Sequence, residues 1–258
     1  MHKEQVIFVI GDRLYGGPPR PDVIGLSELL RELRLGAHRD EDVRFVPAQG
    51  IGAQERDLLR AELALHGLST HRLADPETPG LAGRPEVHKH NPDNILLAGF
   101  RVGGPGVYEA TLRLSNRNEL LLDHTTGTHL SGMVLIEAIR QMTLAVGEHL
   151  YPEEVGHRGP TRFIINSQST RFTRFLLPLR TDLVYRLDTV TRKRETGLLF
   201  AGTCEFTQAG EVGAVGSMEM LILPTETAEH LETRAADKTM AALRGRFTPA
   251  AAVDGAAR

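Results

Sequence analysis

Two hydrophobic rhythms divide the chain. Up to about residue 75, short β-branched runs alternate with segments whose leucines recur at helical spacing. Residues 6–10 read as a buried strand, and 26–35 as a helix with Leu26, Leu29, Leu30 and Leu33 on one face. A second strand follows at 43–46, a second helix at 54–66 closed by Gly67, and a third strand at 69–73. This β-α-β-α-β order predicts a small parallel sheet over residues 1–80, with a core too thin to stand alone. Residues 75–84 (DPETPGLAGR) read as a linker. Beyond them the period changes. Strands are expected at 94–101 and 106–116, a helix at 131–148, and further strands at 161–173, 182–192, 197–207 and 213–223. Two strands, one apolar helix and a run of antiparallel strands predict an α+β unit over 86–224, one sheet wrapped around one helix. Residues 225–258 read as an amphipathic helix (226–243) and a flexible tail.

Composition narrows the function classes. A net charge of −3 and a pI near 6.4 give no electrostatic reason to expect nucleic acid or an anionic membrane as partner. The apolar run at 6–10 is too short for a signal peptide or a span, so a cytoplasmic location is expected. Cys204, the single cysteine, lies in a strand pattern and reads as a core thiol.

The helix at 131–148 is where chemistry is expected. It is apolar on nearly every face, yet carries Glu137 and Arg140, three residues apart. Charges in such a place are paired, neutralised or functional. The two can pair with each other at i, i+3. As a site, Glu137 is the candidate general base, its pKa expected to rise through burial, and Arg140 a fixed cation that orients it or clamps a phosphate. Gly132 opens the helix, where free N–H groups can stabilise an oxyanion. The preceding loop holds Asp123, His124 and His129, candidates for acid–base or substrate-binding roles. Their spacing does not suit zinc, and neither metal nor cofactor is expected. Arg171 and Arg174 fall on opposite faces of a strand, so one of them can face a pocket, and Arg171 is the candidate. In the N-terminal unit, Gln49-Gly50-Ile51-Gly52-Ala53 superficially resembles a phosphate-binding turn but lacks the further glycine and lysine of such motifs.

Three stretches carry a resemblance. They are residues 87–97 (VHKHNPDNILL), the helix with its loop (Asp123, His124, Thr126, Gly127, His129, Gly132, Met133, Val134, Leu135, Glu137, Ala138, Arg140, Gln141), and residues 166–175 (NSQSTRFTRF). Over about residues 86–224 the chain resembles the A-factor, or γ-butyrolactone, biosynthesis hotdog proteins of AfsA type. The resemblance implies a hotdog fold. It also implies an acyltransferase that joins a β-ketoacyl group, held on an acyl carrier protein or coenzyme A thioester, to a hydroxyl acceptor such as dihydroxyacetone phosphate. Members usually carry two hotdog halves, whereas residues 1–75 here read as α/β, so a homodimer is expected to supply the second half. The helix is also similar to that of β-hydroxyacyl carrier-protein dehydratases, where the catalytic histidine precedes the helix carboxylate by fourteen residues. That position is Asp123 here, with His124 beside it. Dehydratase or thioesterase chemistry is therefore the alternative, and a non-catalytic acyl-binding or regulatory domain the second alternative.

Overall fold

The computed structural model describes residues 4–74, 79–121, 128–193 and 196–247. The N-terminal part comprises β1 (Gln5–Ile10), β2 (Val23–Gly25), α1 (Leu26–Arg34), β3 (Val43–Pro47) and α2 (Ala53–Leu65). The three strands form a parallel sheet in the order β2-β1-β3. Leu29 and Leu33 of α1, Leu59 and Leu63 of α2, Val9 and Phe45 share one core. The element order therefore differs from the expected β-α-β-α-β in two places. β2 has three residues, too few to show a period of two. At 69–73 the Ser69 side chain accepts a hydrogen bond from the His71 N–H and caps a 3-10 turn, leaving Leu73 with a single parallel bridge to Phe45.

The larger part begins with α3 (Arg84–Val87) and continues through β4 (Leu97–Gly104), β5 (Val107–Leu112), α4 (Gly132–Val155), β6 (Thr161–Phe172), β7 (Asp182–Lys193), β8 (Gly197–Gln208), β9 (Glu211–Pro224) and α5 (Thr225–Phe247). Its sheet is antiparallel, in the order β4-β5-β7-β8-β9-β6. The chain leaves β5 for α4 and returns at the far edge as β6. The sheet wraps α4, whose Val134, Ala138, Ile139, Met142 and Val146 are fully buried. Glycines set how closely they pack. A Cβ at Gly216 of β9 would overlap Ile139 Cδ1, and one at Gly147 would meet Phe163 and Phe200. The helix stops at Gly156, which takes the left-handed conformation at φ +76°. No helix among the described residues is long and apolar enough to cross a membrane.

Gln49 joins the two parts. It is 7% exposed, donates from Nε2 to the carbonyls of Leu112 (2.9 Å) and Leu179 (3.2 Å), and accepts from the Leu114 N–H at 2.7 Å. Next to it the Gly50 N–H bonds to Leu114 O, and Gly50 lies back to back with Gly11, with room for no Cβ on either. Ile10 and Leu14 complete the seam by entering the larger core. The turn that resembles a phosphate loop is thus a docking joint, with the N–H groups of Gln49, Gly50 and Ile51 donated to backbone carbonyls and that of Gly52 to Glu55 Oε2.

Candidate functional site

α4 begins at Gly132, with the Ser131 side chain accepting from the Met133 N–H as N-cap. The Phe172 ring lies across Gly132, and a Cβ there would come within 3.1 Å of it. Met133, one residue into the helix, is 59% exposed, so this end of α4 opens to the surface. His129 stands just before it, its Nδ1 3.1 Å from Thr128 Oγ1 and its ring 4.8 Å from that of Phe175. Asp123 and His124 lie outside the described residues. Arg171 is exposed on the edge strand β6, paired in register with Val215. It enters no ion pair among the described residues, whereas Arg174 pairs with Glu211.

One to two turns further along α4 the charged residues converge. Arg140 grips Glu137 bidentately, Nε to Oε2 at 2.7 Å and Nη2 to Oε1 at 2.8 Å. Lys89, from the loop after α3, places Nζ 2.8 Å from Glu137 Oε1, and Gln141 Nε2 donates to the same oxygen at 3.0 Å. The cluster is partly sunk, with 16% of the Glu137 side chain, 23% of Lys89 and 26% of Arg140 exposed. Burial pushes the Glu137 carboxyl up, but the hydrogen bonds from Arg140, Lys89 and Gln141 outweigh it and hold the pKa at about 2. This corrects the expectation of a raised pKa, which counted the apolar helix and not the second cation. Glu137 is a carboxylate clamped between two positive charges.

Gln141 builds the frame. Fully buried, it accepts from the Leu96 N–H at 2.8 Å and donates to Asn94 O at 2.8 Å. The segment entering β4 is thereby fixed to α4 beside Glu137. The residue before Lys89 does the same elsewhere on the helix. His88, in the left-handed conformation at φ +51°, places Nε2 2.8 Å from Glu148 Oε1. Consecutive residues 88 and 89 thus reach two carboxylates about 16 Å apart along one helix face. Sequence reasoning passed over Lys89 and Gln141. One signal for Lys89 was available: it is one of four lysines among 30 basic residues, and it lies between two histidines.

Among the described residues no group of His, Cys, Asp and Glu could hold a metal ion. Cys204 is fully buried, and burial pushes its thiol far up, as befits a core residue.

Comparison with solved structures finds AziG of S. sahachiroi at 19% identity, covering 49% of this chain and 92% of that one, with a TM-score of 0.36. A conserved protein of Pseudomonas aeruginosa matches at 16% identity over 46% of this chain and 83% of its own, TM-score 0.35. A mutant thioesterase from the same organism matches at 12% over 50% and 81%, TM-score 0.38. Likeness at this level bears on neither activity nor partners. No curated protein matches. The family model described as the A-factor biosynthesis hotdog domain, however, matches residues 71–224, which include α4, the Lys89–Glu137–Arg140 cluster and the whole antiparallel sheet. The chain therefore belongs to the A-factor biosynthesis (AfsA) hotdog family.

Proposed function

We propose that this protein is an acyltransferase that moves a β-ketoacyl group from a carrier-protein or coenzyme A thioester to the hydroxyl of a small phosphorylated acceptor, such as dihydroxyacetone phosphate. The observation that carries the reading is the carboxylate held between Lys89 and Arg140 in a partly sunken site. Two cations converging on one anion form a place where a phosphate can compete. When the acceptor's phosphate draws the cations away, Glu137 keeps its desolvation and loses its hydrogen bonds. Its pKa then rises toward the range of a general base, helped by the phosphate's own negative charge.

Glu137 takes the proton of the acceptor hydroxyl as that oxygen attacks the thioester carbonyl. The carbonyl oxygen gathers negative charge, which the Gly132 N–H at the start of α4 stabilises, the N–H groups of Met133, Val134 and Leu135 being bonded to Ser131. Collapse breaks the carbon–sulfur bond, and Glu137 returns the proton to the departing thiolate. Atoms balance as an oxygen ester plus a free thiol. His129 sits at the open end of α4, a position suited to contact with the acyl donor, and Asp123, His124 and Arg171 remain candidates for the reaction. The partner we infer is a second copy, joined along the outer edge of β6, a twelve-residue edge strand that pairs only with β9 among the described residues and on which Ile165 and Phe172 are 45% and 50% exposed.

The test is incubation with β-ketoacyl and β-hydroxyacyl carrier proteins, with and without dihydroxyacetone phosphate, read by intact mass. Acceptor-dependent loss of the β-ketoacyl group supports the proposal. Loss without acceptor indicates a thioesterase, loss of water from the β-hydroxyacyl group a dehydratase, and retention of both groups a binding protein.

A further inference from the structure

His88 occupies a position that suits glycine. The end of α3 closes with two bonds, the His88 N–H to Pro85 O at 3.4 Å and the Lys89 N–H to Arg84 O at 3.1 Å. This closure puts residue 88 in the left-handed region, at φ +51°, which glycine enters freely and a residue with a Cβ enters at a cost. The His88 side chain offsets that cost. Its Nε2 donates to Glu148 Oε1 at 2.8 Å, and its ring meets that of Phe163 edge-on with centroids 4.9 Å apart. Val87, fully buried, holds the end of α3 on the core, but it precedes the turn. The His88 contacts hold the turn itself.

Lys89 follows directly. Its side chain and that of His88 start about 3.8 Å apart and end on carboxylates about 16 Å apart along α4. They therefore leave the chain in opposite directions, and the angle of the backbone at residue 88 decides whether Lys89 Nζ meets Glu137 Oε1 at 2.8 Å. We infer that His88 is a positioning residue: anchored on Glu148, it holds Lys89 against Glu137 and so couples two carboxylates about three turns apart on one helix face. The coupling is mechanical, because across about 16 Å the charge of Glu148 is largely screened at physiological salt. With the turn held, only the Lys89 side chain has to swing when an anion draws it away. That an acceptor phosphate is this anion rests on the transfer proposed above; the coupling does not.

The test reads how freely Lys89 reacts. The full chain is trace-acetylated with acetic anhydride at neutral pH and physiological salt, and the rate at each lysine is read by peptide mass spectrometry. Exposed Lys193 and Lys238 serve as internal references. A clamped ammonium reacts slowly, since it must leave Glu137 and shed a proton. Glu148→Ala and His88→Asn are expected to speed Lys89 by about 3-fold or more over the references. Loss of the distant Glu148 charge alone would change the rate by less than about 1.5-fold. Asparagine tolerates the left-handed backbone but is too short to reach Glu148. His88→Gln, whose amide nitrogen lies as many bonds from Cα as Nε2 does, is expected to keep the slow rate. The inference is overturned if Lys89 is no faster in Glu148→Ala, if Gln and Asn at position 88 speed it equally, or if the references speed up as much as Lys89. Should His88→Asn not fold, Glu148→Ala decides alone, its side chain being 36% exposed in the wild type. None of these rates depends on a transfer reaction, so the coupling and the proposed function fail separately.

Discussion

Lys89 reaches Glu137 from outside the helix that carries it, with Nζ 2.8 Å from Oε1. That contact turns an ordinary i, i+3 pair into a carboxylate with two cations. Lys89→Met is expected to raise the Glu137 pKa from about 2 by about one unit or more, since one opposing charge and its hydrogen bond are lost while burial stays. Carbon-13 titration of the Glu137 carboxyl measures this directly. If the reaction is as proposed, the same variant also raises the KM for the phosphorylated acceptor more than that for the acyl donor. An unmoved pKa would show that Arg140 and Gln141 hold the carboxylate without Lys89.

Glu137→Gln is expected to lower turnover by at least ~10²-fold, because an amide takes no proton at neutral pH. The fold is affected too. Removing the anion leaves Lys89 and Arg140 facing each other, partly desolvated and without a counter-charge, which is expected to destabilise the protein by about 3 kcal/mol. Activity and urea denaturation should be followed on the same preparation. Full turnover in this variant would make the cluster purely structural.

The same clamp sets a pH dependence. A folded-state pKa of about 2 lies below the ordinary carboxyl value of 4.5, so Glu137 contributes stability that is complete above about pH 4.5. That contribution, on the order of 3 kcal/mol, is lost as the pH falls from 4.5 toward 2. The stability gap between wild type and Glu137→Gln should therefore narrow across that window. A gap that stays constant down to pH 2.5 would contradict the assigned pKa.

How much could be read from the chain follows from where each signal resides. The helix at 131–148 was expected and α4 spans Gly132–Val155, because a long apolar segment with a polar cap is locally encoded. β5, β8 and β9 of the large sheet were legible because their positions alternate, whereas β4, β6 and β7 were marked out mainly by the turn signals around them. β2 was not, since three residues show no period and pairing with β1 makes them a strand. Glu137 and Arg140 could be picked out as charges in apolar surroundings, but their electrostatics could not. Lys89 is 48 positions away from Glu137, and only the fold brings it to 2.8 Å. Gln49 illustrates the same point: glycines around it suggested a ligand turn, while its partners Leu112, Leu114 and Leu179 are contacts of the tertiary structure.

Gln141→Leu tests whether the frame of the site is separable from its charges. The substitution keeps most of the side-chain volume, so a cavity contributes little. What it removes is hydrogen bonding: the buried Leu96 N–H loses its acceptor, the Asn94 carbonyl loses its donor, and Glu137 Oε1 loses one of its hydrogen bonds. Unsatisfied buried groups cost about 1–3 kcal/mol each, so a total loss of ~2–5 kcal/mol is expected by urea denaturation at pH 7. The Glu137 pKa should rise only modestly, because Arg140 and Lys89 stay in place. Hydrogen exchange supplies the local readout. The Leu96 amide, now protected by Gln141, should exchange much faster in the variant, while amides in the β7–β8 ladder keep their protection relative to global stability. If Leu96 keeps its protection and stability falls by less than about 1 kcal/mol, the entry to β4 is held by packing alone. Gln141 would then have no part in placing Glu137.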